Sequence, residues 1–324
     1  MTATSELAAA LTSSSRQPVP ALRIAILIPC FNEEVAIPKV VREFRESLPT
    51  AEIYVYDNSS TDRTVQVARD AGAVVRTEPL QGKGNVVRRM FADIEADVYV
   101  LVDGDDTYDP LAAPMLVQRL LDERLDMVNG ARTSDIKESY RPGHRLGNKL
   151  LTGLVSSIFG RRFRDMLSGY RAFSRRFVKS FPALAAGFEI ETELTIHALE
   201  LKLPVSEITT RYKERPEGSA SKLRTFRDGF RILSTIVKLL KSERPFGFFG
   251  SIAAVFFAIG ILLSVPLIIT FFETGLVPRL PTAVLVVGLM VLSSLSFACG
   301  LILDTVTQGR RELRRLAYLR LKTF

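Results

Sequence analysis

The sequence has no tryptophan and only two cysteines among its 324 residues. Cys30 follows an apolar run that predicts a strand and Cys299 lies inside a longer apolar run, so neither a disulfide framework nor a metal-thiolate cluster is available. The two histidines, His144 and His197, form no recognisable ligand pair. A reducing compartment is consistent with this composition. The first strand also lacks the Gly-x-Gly-x-x-Gly pattern, which disfavours a nucleotide-dependent oxidoreductase.

Charge is absent from two long segments near the end of the chain. No Asp, Glu, Lys or Arg occurs in residues 246–272, and a second uncharged run covers 280–303. At about 1.5 Å per residue, each helix is long enough to cross a hydrocarbon core of about 30 Å. We therefore predict a transmembrane hairpin of helices 246–272 and 280–304, with both outer ends on one side. The alternative is a buried helical hairpin of a soluble protein.

Basic residues flank this hairpin. Lys and Arg number 43 against 35 Asp and Glu, a formal charge of +8, and they crowd into 222–244 and 310–322. A membrane surface explains this placement better than nucleic acid, and the positive-inside rule puts both termini in the cytoplasm. We predict a multi-pass protein of the inner (plasma) membrane with a basic cytoplasmic tail at 305–324. Residues 1–20 lack the apolar core of a signal peptide and are expected to form a disordered tail.

The region before the hairpin alternates strand and helix patterns. Strands are predicted at 22–28, 53–56, 74–75, 98–102 and 127–129, with helices between them. This alternation predicts an α/β fold over residues 21–221, a Rossmann-like, mostly parallel sheet with helices on both faces. Ligands of such sheets bind at the carboxyl ends of the strands.

Two amphipathic segments edged by Lys and Arg, 146–159 and 223–240, predict interfacial helices, the second inside a juxtamembrane region at 222–245. Ordinary amphipathic core helices are the alternative for both.

Polar residues follow three of the predicted strands. The first ends in Pro-Cys-Phe-Asn-Glu-Glu from Pro29 and the second in Asp-Asn-Ser-Ser from Asp57, which supplies acceptors for a nucleoside. N-capping of the following helices explains the same residues. The fourth strand ends in an Asp-x-Asp motif, Asp103 and Asp105. Such oxygen ligands suit Mg²⁺ or Mn²⁺, which neutralises a diphosphate leaving group.

Together, in this order and spacing, these motifs resemble the family 2 glycosyltransferases of GT-A fold. The similarity is to the polyprenyl-phosphate branch, which includes dolichyl-phosphate mannose synthases and bactoprenol glucosyltransferases. It runs from about Arg23 through both predicted membrane helices.

The resemblance implies a role for each matching position on the donor side. Residues expected around the nucleotide are Pro29, Phe31, Glu33, Asp57, Lys83 and Asp103. Lys83 lies in a glycine-bracketed loop that lets the backbone approach the nucleotide. Asp103 and Asp105 match the metal carboxylates, with Asp105 the stronger candidate for direct coordination. Glu191 and Glu193 match donor-sugar residues, although acids in a first helical turn also suit the helix dipole.

On the acceptor side the resemblance implies a phosphate site. Asp165 precedes a Ser-Gly-Tyr-Arg turn and is the candidate for orienting or deprotonating the acceptor. Residues expected to contact phosphate groups are Arg132, Arg145, Arg215, Ser221 and Lys222. Arg215 is counted among the catalytic candidates with Asp165 and Asp105. A structural role is the alternative for Asp165, and an exposed basic loop is the alternative for 215–222.

The expected activity is inverting transfer of a sugar from a nucleotide sugar, UDP-linked rather than GDP-linked, to a polyprenyl phosphate, with Mg²⁺ or Mn²⁺ as cofactor. One rival is a catalytically inactive nucleotide-sugar-binding scaffold. Another is a processive polysaccharide synthase, disfavoured because its Gln-x-x-Arg-Trp motif needs the missing tryptophan. The resemblance is compatible with a homo-tetramer, and no nucleic-acid partner is expected.

Overall fold

Seven strands form one sheet in the order β3-β2-β1-β4-β6-β5-β7. The computed structural model describes residues 22–133, 153, 163–187, 189–214, 234, 237–238 and 241–321. The strands are β1 (Ile24–Cys30), β2 (Ala51–Asp57), β3 (Val74–Thr77), β4 (Val98–Leu101), β5 (Met127–Thr133), β6 (Arg171–Ser174) and β7 (Val205–Arg211). The helices are α1 (Ile37–Ser47), α2 (Thr64–Asp70), α3 (Lys83–Asp93), α4 (Ala112–Asp122), α5 (Arg175–Ser180), α6 (Ile190–Glu200), α7 (Pro245–Thr274) and α8 (Leu280–Leu319).

The sheet is parallel except at one strand. β1 pairs in parallel with β2 and β4, β2 with β3, and β5 with β7, whereas β6 lies antiparallel between β4 and β5. The predicted Rossmann-like, mostly parallel α/β sheet is therefore confirmed. The carboxyl ends of β1, β2 and β4 meet at one edge, as connections through helices require.

Alternate residues of the central strands feed two cores, one on each face of the sheet. On one face Leu27 packs in a cluster completed by side chains of α3, α5 and α6. On the other, Ile26 packs in a cluster completed by α1 and α4. Because both faces are covered, β4 reads as a continuous apolar run, Val-Tyr-Val-Leu, with all four residues buried.

The two C-terminal helices stand largely outside these cores. α7 has 30 residues and α8 has 40; both are long and apolar enough to cross a membrane, and only 11% of the most apolar window of each is buried within the described chain. Gly260 and Gly300 lie where the helices touch, since an added Cβ would meet Met290 and Phe249. α8 continues beyond the predicted limit of 304 to Leu319.

Several predicted segments fall outside the described residues. These are the tail at 1–20, the helix at 146–159 apart from residue 153, and most of the juxtamembrane region at 222–245.

Candidate active site

The turns after β1 and β2 are held together by side-chain hydrogen bonds. Asn32 accepts from the Thr61 amide at 2.8 Å through its side chain, and its own amide donates to Ser60 Oγ at 2.8 Å. The Glu33 amide donates to Thr64 Oγ1 at 2.8 Å. Asn32 has a φ of 53°, the left-handed conformation that Asn tolerates. These bonds fix one polar rim from two strand ends.

The sequence-predicted nucleotide residues of these two strands lie along this rim. Cys30, between Pro29 and Phe31, is in register with Asp57. Asp57 is buried, and its carboxylate accepts from the Ser60 amide at 3.1 Å. Glu33 is also buried. The structure thus brings Pro29, Phe31, Glu33 and Asp57 to one edge of the sheet.

Hydrogen bonds of the Asn58 side chain hold the loop before α3 against the same edge of the sheet. Its amide group donates to the carbonyls of Glu78 and Leu80, and its oxygen accepts from the Gly82 amide at 2.7 Å. Gly82 has a φ of 127°, and a Cβ here or at Gly84 would overlap the backbone of residues 185 and 186. Glycines are therefore required for the loop to pass close to that segment and present Lys83.

Lys83 joins two carboxylates that are distant in sequence. Its ammonium group contacts Asp103 Oδ1 and donates to Glu191 Oε1 at 2.5 Å. The Lys83 side chain is only 7% exposed. Burial opposes its charge, but Asp103 and Glu191 raise the pKa of Lys83 above 10.5. Burial raises the pKa of Glu191, and Lys83 counteracts this effect. The cluster carries one cation between two acids, a net negative charge.

Asp105 lies beside this cluster and is buried. Its carboxylate accepts from Thr107 Oγ1 at 2.6 Å. Within the described residues, no group of three His, Cys, Asp or Glu side chains is arranged to hold a metal. Asp103 and Asp105 supply two carboxylates, and Mg²⁺ or Mn²⁺ combines one or two carboxylates with phosphate oxygens, so their chemistry fits an ion that arrives with a diphosphate.

The cluster of Lys83, Asp103 and Glu191 touches the turn that follows Asp165. A Cβ at Gly169 would lie 2.6 Å from Asp103 Oδ2, so only glycine lets the two segments pack. The Gly169 amide is held by Tyr108 Oη at 2.9 Å. Asp103 and the Ser-Gly turn of the predicted acceptor segment are thus direct neighbours.

On the far side of that turn, Asp165 pairs with Arg132. The guanidinium donates from Nε to Oδ2 at 2.6 Å and from Nη2 to Oδ1 at 2.9 Å, a bidentate pair. Burial raises the pKa of Asp165, but the pairing with Arg132 outweighs it and holds that pKa below 3.8. The Arg132 guanidinium also lies 5.4 Å from the ring centre of Tyr212. Asp165 is therefore an ionised, weakly basic carboxylate.

No sequence pattern pointed to Tyr108 or Glu207, and Asn58 was recognised only as part of the polar motif after the second strand. Glu207, on β7, accepts from the amides of Arg164 and Asp165 and from Asn129 at 2.8 Å, and so orients the Asp165 segment. The β-branched residues Val205, Ile208, Thr209 and Thr210 were its one available signal, and no strand was predicted there.

The remaining predicted site residues separate into two groups. Glu193 accepts from the amides of Leu184 and Ala185 at 3.0 and 2.8 Å, so it braces the loop that packs on Gly82 and Gly84 rather than joining Glu191 at Lys83. The others lie outside the described residues: Arg145, Arg215, Ser221 and Lys222.

Comparison with known proteins identifies the family. The family described as Glycosyl transferase family 2 matches residues 25–181. Glycosyltransferase AglJ of Haloferax volcanii is 35% identical over 247 residues, covering 74% of this chain and 80% of AglJ. The dolichyl-phosphate hexose transferase of the same organism is 30% identical over 222 residues, covering 68% of this chain and 95% of that protein.

A solved structure with a similar fold is the glucosyl-3-phosphoglycerate synthase of Mycobacterium tuberculosis in complex with Mn²⁺, UDP and glucosyl-3-phosphoglycerate. It has a TM-score of 0.56 and 25% identity, and the match covers 68% of this chain and 80% of that chain. This chain shares that fold, and relatives at 30% identity or more match most of its length; the protein belongs to the family 2 glycosyltransferases.

Proposed function

We propose that this protein transfers a sugar from a nucleotide sugar to a polyprenyl phosphate at the cytoplasmic face of a membrane, with inversion at the anomeric carbon. The observation that carries the proposal is the contact between Asp103 and Gly169, which sets the acidic, cation-bridged cluster beside the Arg132–Asp165 pair. A donor diphosphate and an acceptor phosphate can therefore lie side by side.

The donor half of the site binds the nucleoside along the rim of β1 and β2. Glu33 and Asp57 supply acceptors there, and Lys83 supplies a cation for the diphosphate. Asp103 and Asp105 would hold a Mg²⁺ or Mn²⁺ bound with the donor, and the ion would neutralise charge on the nucleoside diphosphate leaving group. Glu191, bonded to Lys83, is assigned to the hydroxyl groups of the donor sugar because of its place beside the proposed diphosphate site.

The acceptor half binds a phosphate through Arg132, whose planar donors match phosphoryl oxygens. A phosphate monoester has a second pKa of about 6, so the attacking oxygen is already largely anionic near neutral pH. The lowered pKa of Asp165 makes it a poor base, and its role is to hold Arg132 in position. Positioning and electrostatics then supply most of the rate enhancement. Arg145, Arg215, Ser221 and Lys222 remain proposed phosphate ligands on sequence grounds.

Two further observations support the lipid acceptor and the donor. α7 and α8 are long and apolar enough to cross a membrane, and the relative with 95% coverage is a dolichyl-phosphate hexose transferase. The structural neighbour was crystallised with UDP, which favours a UDP-sugar over a GDP-sugar. We place the catalytic domain and both termini in the cytoplasm, because basic residues flank the outer ends of the hairpin.

The test is transfer of label from a panel of radiolabelled UDP- and GDP-sugars to undecaprenyl phosphate, with Mn²⁺ or Mg²⁺ and purified full-length protein. We expect one donor to label the organic phase. Asp105→Asn removes a metal ligand without changing side-chain shape and should abolish labelling, whereas Asp122→Asn, on the exposed end of α4, should not. Binding of a nucleotide sugar without labelling would instead favour the inactive scaffold. Labelled polymer would favour a processive synthase.

A further inference from the structure

α8 is longer than a membrane crossing requires. Its 40 residues extend about 60 Å, twice a hydrocarbon core of about 30 Å. The apolar part ends near Leu303, and the last four turns are basic. These turns run back along the catalytic domain and contact α5 and α6.

The first contact is made to Glu200 at the C-terminal end of α6. Arg314 donates to Glu200 Oε2 at 2.5 Å and Arg311 donates to Oε1 at 3.2 Å. The Glu200 side chain is 0% exposed, so its carboxylate depends on these two arginines for neutralisation. A buried carboxylate with two arginines from another element fixes the relative placement of those elements.

Arg311 also reaches the start of the other apolar helix. Its Nη2 donates to the Glu243 carbonyl at 2.8 Å and to Glu243 Oε2 at 3.2 Å. Glu243 is buried and precedes α7 by two residues. Arg311 is thus a junction between the catalytic domain, the entry of α7 and the extension of α8.

A second contact lies four residues beyond Arg314. Tyr318 is buried and donates to Asp126 Oδ2 at 2.6 Å. Arg176 of α5 stacks on the Tyr318 ring, with its guanidinium carbon 4.2 Å from the ring centre. Asp126 also accepts from Ser174 at the end of β6. The α8 extension is therefore attached at two points of the domain.

The first of these points, Glu200, lies at the C-terminal end of α6, and α6 begins in the active site. α6 carries Glu191, bonded to Lys83, in its first turn and Glu200 in its last. A helix of 11 residues spans about 16 Å, so α6 connects the contact with α8 at Glu200 to the active site, and the site moves with the domain as one rigid body.

We propose that Arg311, Arg314 and Glu200 are positioning residues that set the active site at a fixed height and orientation over the membrane for a lipid-borne acceptor. This inference rests on the proposed function, because it supposes an acceptor whose phosphate is confined to the bilayer surface. Such a phosphate cannot adjust to a displaced site, whereas a freely diffusing one can.

The test compares two acceptors with the same phosphate group: undecaprenyl phosphate in vesicles and a water-soluble short-chain prenyl phosphate. The variants are Glu200→Gln, Arg311→Gln and their combination. Arg320→Gln, an exposed arginine at the end of the same helix, is the matched control. Thermal unfolding and the Kd of the donor are measured for every variant.

We expect Glu200→Gln and Arg311→Gln each to lower transfer to undecaprenyl phosphate about tenfold, since small misplacements in a reacting pair cost this much or more. Transfer to the short-chain acceptor and the donor Kd should change less than about twofold. The combined variant should be no worse than either single one, because both break one junction.

Equal losses on both acceptors, or no loss on either, would overturn the positioning role. Failure of the unaltered protein to label either acceptor would instead count against the proposed function. If a single variant does not fold, the comparison of acceptors in Arg314→Gln, which leaves the Arg311 bonds in place, decides the same question.

Discussion

At the scale of single residues, substitution of Lys83 should lower the stability of the folded protein, because its ammonium group neutralises two carboxylates. Lys83→Met leaves Glu191 buried without its cation and Asp103 beside it. Breaking a buried ion pair from one side costs about 3 to 5 kcal/mol, so a clear drop in the unfolding temperature is expected. Glu191→Gln retains the Lys83–Asp103 pair and should cost much less. Equal unfolding temperatures for the two variants would show that the cluster does not depend on Lys83.

Asp165 and the acceptor differ in the pH at which each titrates. Arg132 keeps the pKa of Asp165 below 3.8, so its carboxylate is ionised at every pH where the protein is assayed. The acid limb of the pH–rate profile should then come from the acceptor phosphate, near its pKa of about 6. Asp165→Asn should lower kcat/KM about 100-fold without moving that limb. A limb that disappears in this variant would make Asp165 the titrating base after all.

At the scale of elements, the turn after Asp165 packs against Asp103, which follows β4. Only a glycine at position 169 leaves room for this contact. Gly169→Ala places a methyl group against Asp103, which must rotate away from its present position. We expect a loss of transfer of about 100-fold with little change in unfolding temperature, because the displaced carboxylate lies at the site rather than in the core. Gly309→Ala on α8 has open space around it and serves as the neutral control. Comparable activity of both variants would mean that Asp103 tolerates displacement.

The elements that the sequence predicted well are those whose pattern is local. β1 and β4 are continuous apolar runs that end in polar motifs, and local composition alone locates them and the carboxylates that follow them. β6 has four residues, including the buried Arg171, and its antiparallel place between β4 and β5 depends on pairing with distant segments. Glu207 and Tyr108 were missed for the same reason, since their roles arise only when β7 and the turn after β4 reach the Asp165 segment.

The C-terminal half of α8 could not be predicted from local sequence either. The charge-free run predicted the first half of α8, but nothing local in 305–319 distinguishes a basic tail from a basic helix docked on a domain. Its partners, Glu200 and Asp126, lie more than a hundred residues earlier in the chain. Only the folded chain brings these charges together.

At the scale of the whole molecule, acid stability should depend on one buried histidine. His197 packs against Phe177 and Phe181 with ring centres 5.3 Å apart in each case, and burial lowers its pKa from 6.5 to about 3. Between these values the unfolded chain binds a proton that the folded chain does not. Stability attributable to His197 is therefore complete above about pH 6.5 and falls as the pH is lowered.

The expected loss between about pH 7.5 and about pH 5 is about 2 kcal/mol, from the difference in proton binding. Chemical unfolding of the purified protein at the two pH values measures it, with His197→Phe as the matched variant, because phenylalanine fills the same aromatic pocket without titrating. The variant should lose about 2 kcal/mol less than the unaltered protein over this interval. An identical pH dependence for the two would mean that His197 gains a proton while the domain stays folded, and that the pocket around it opens more readily than its packing indicates.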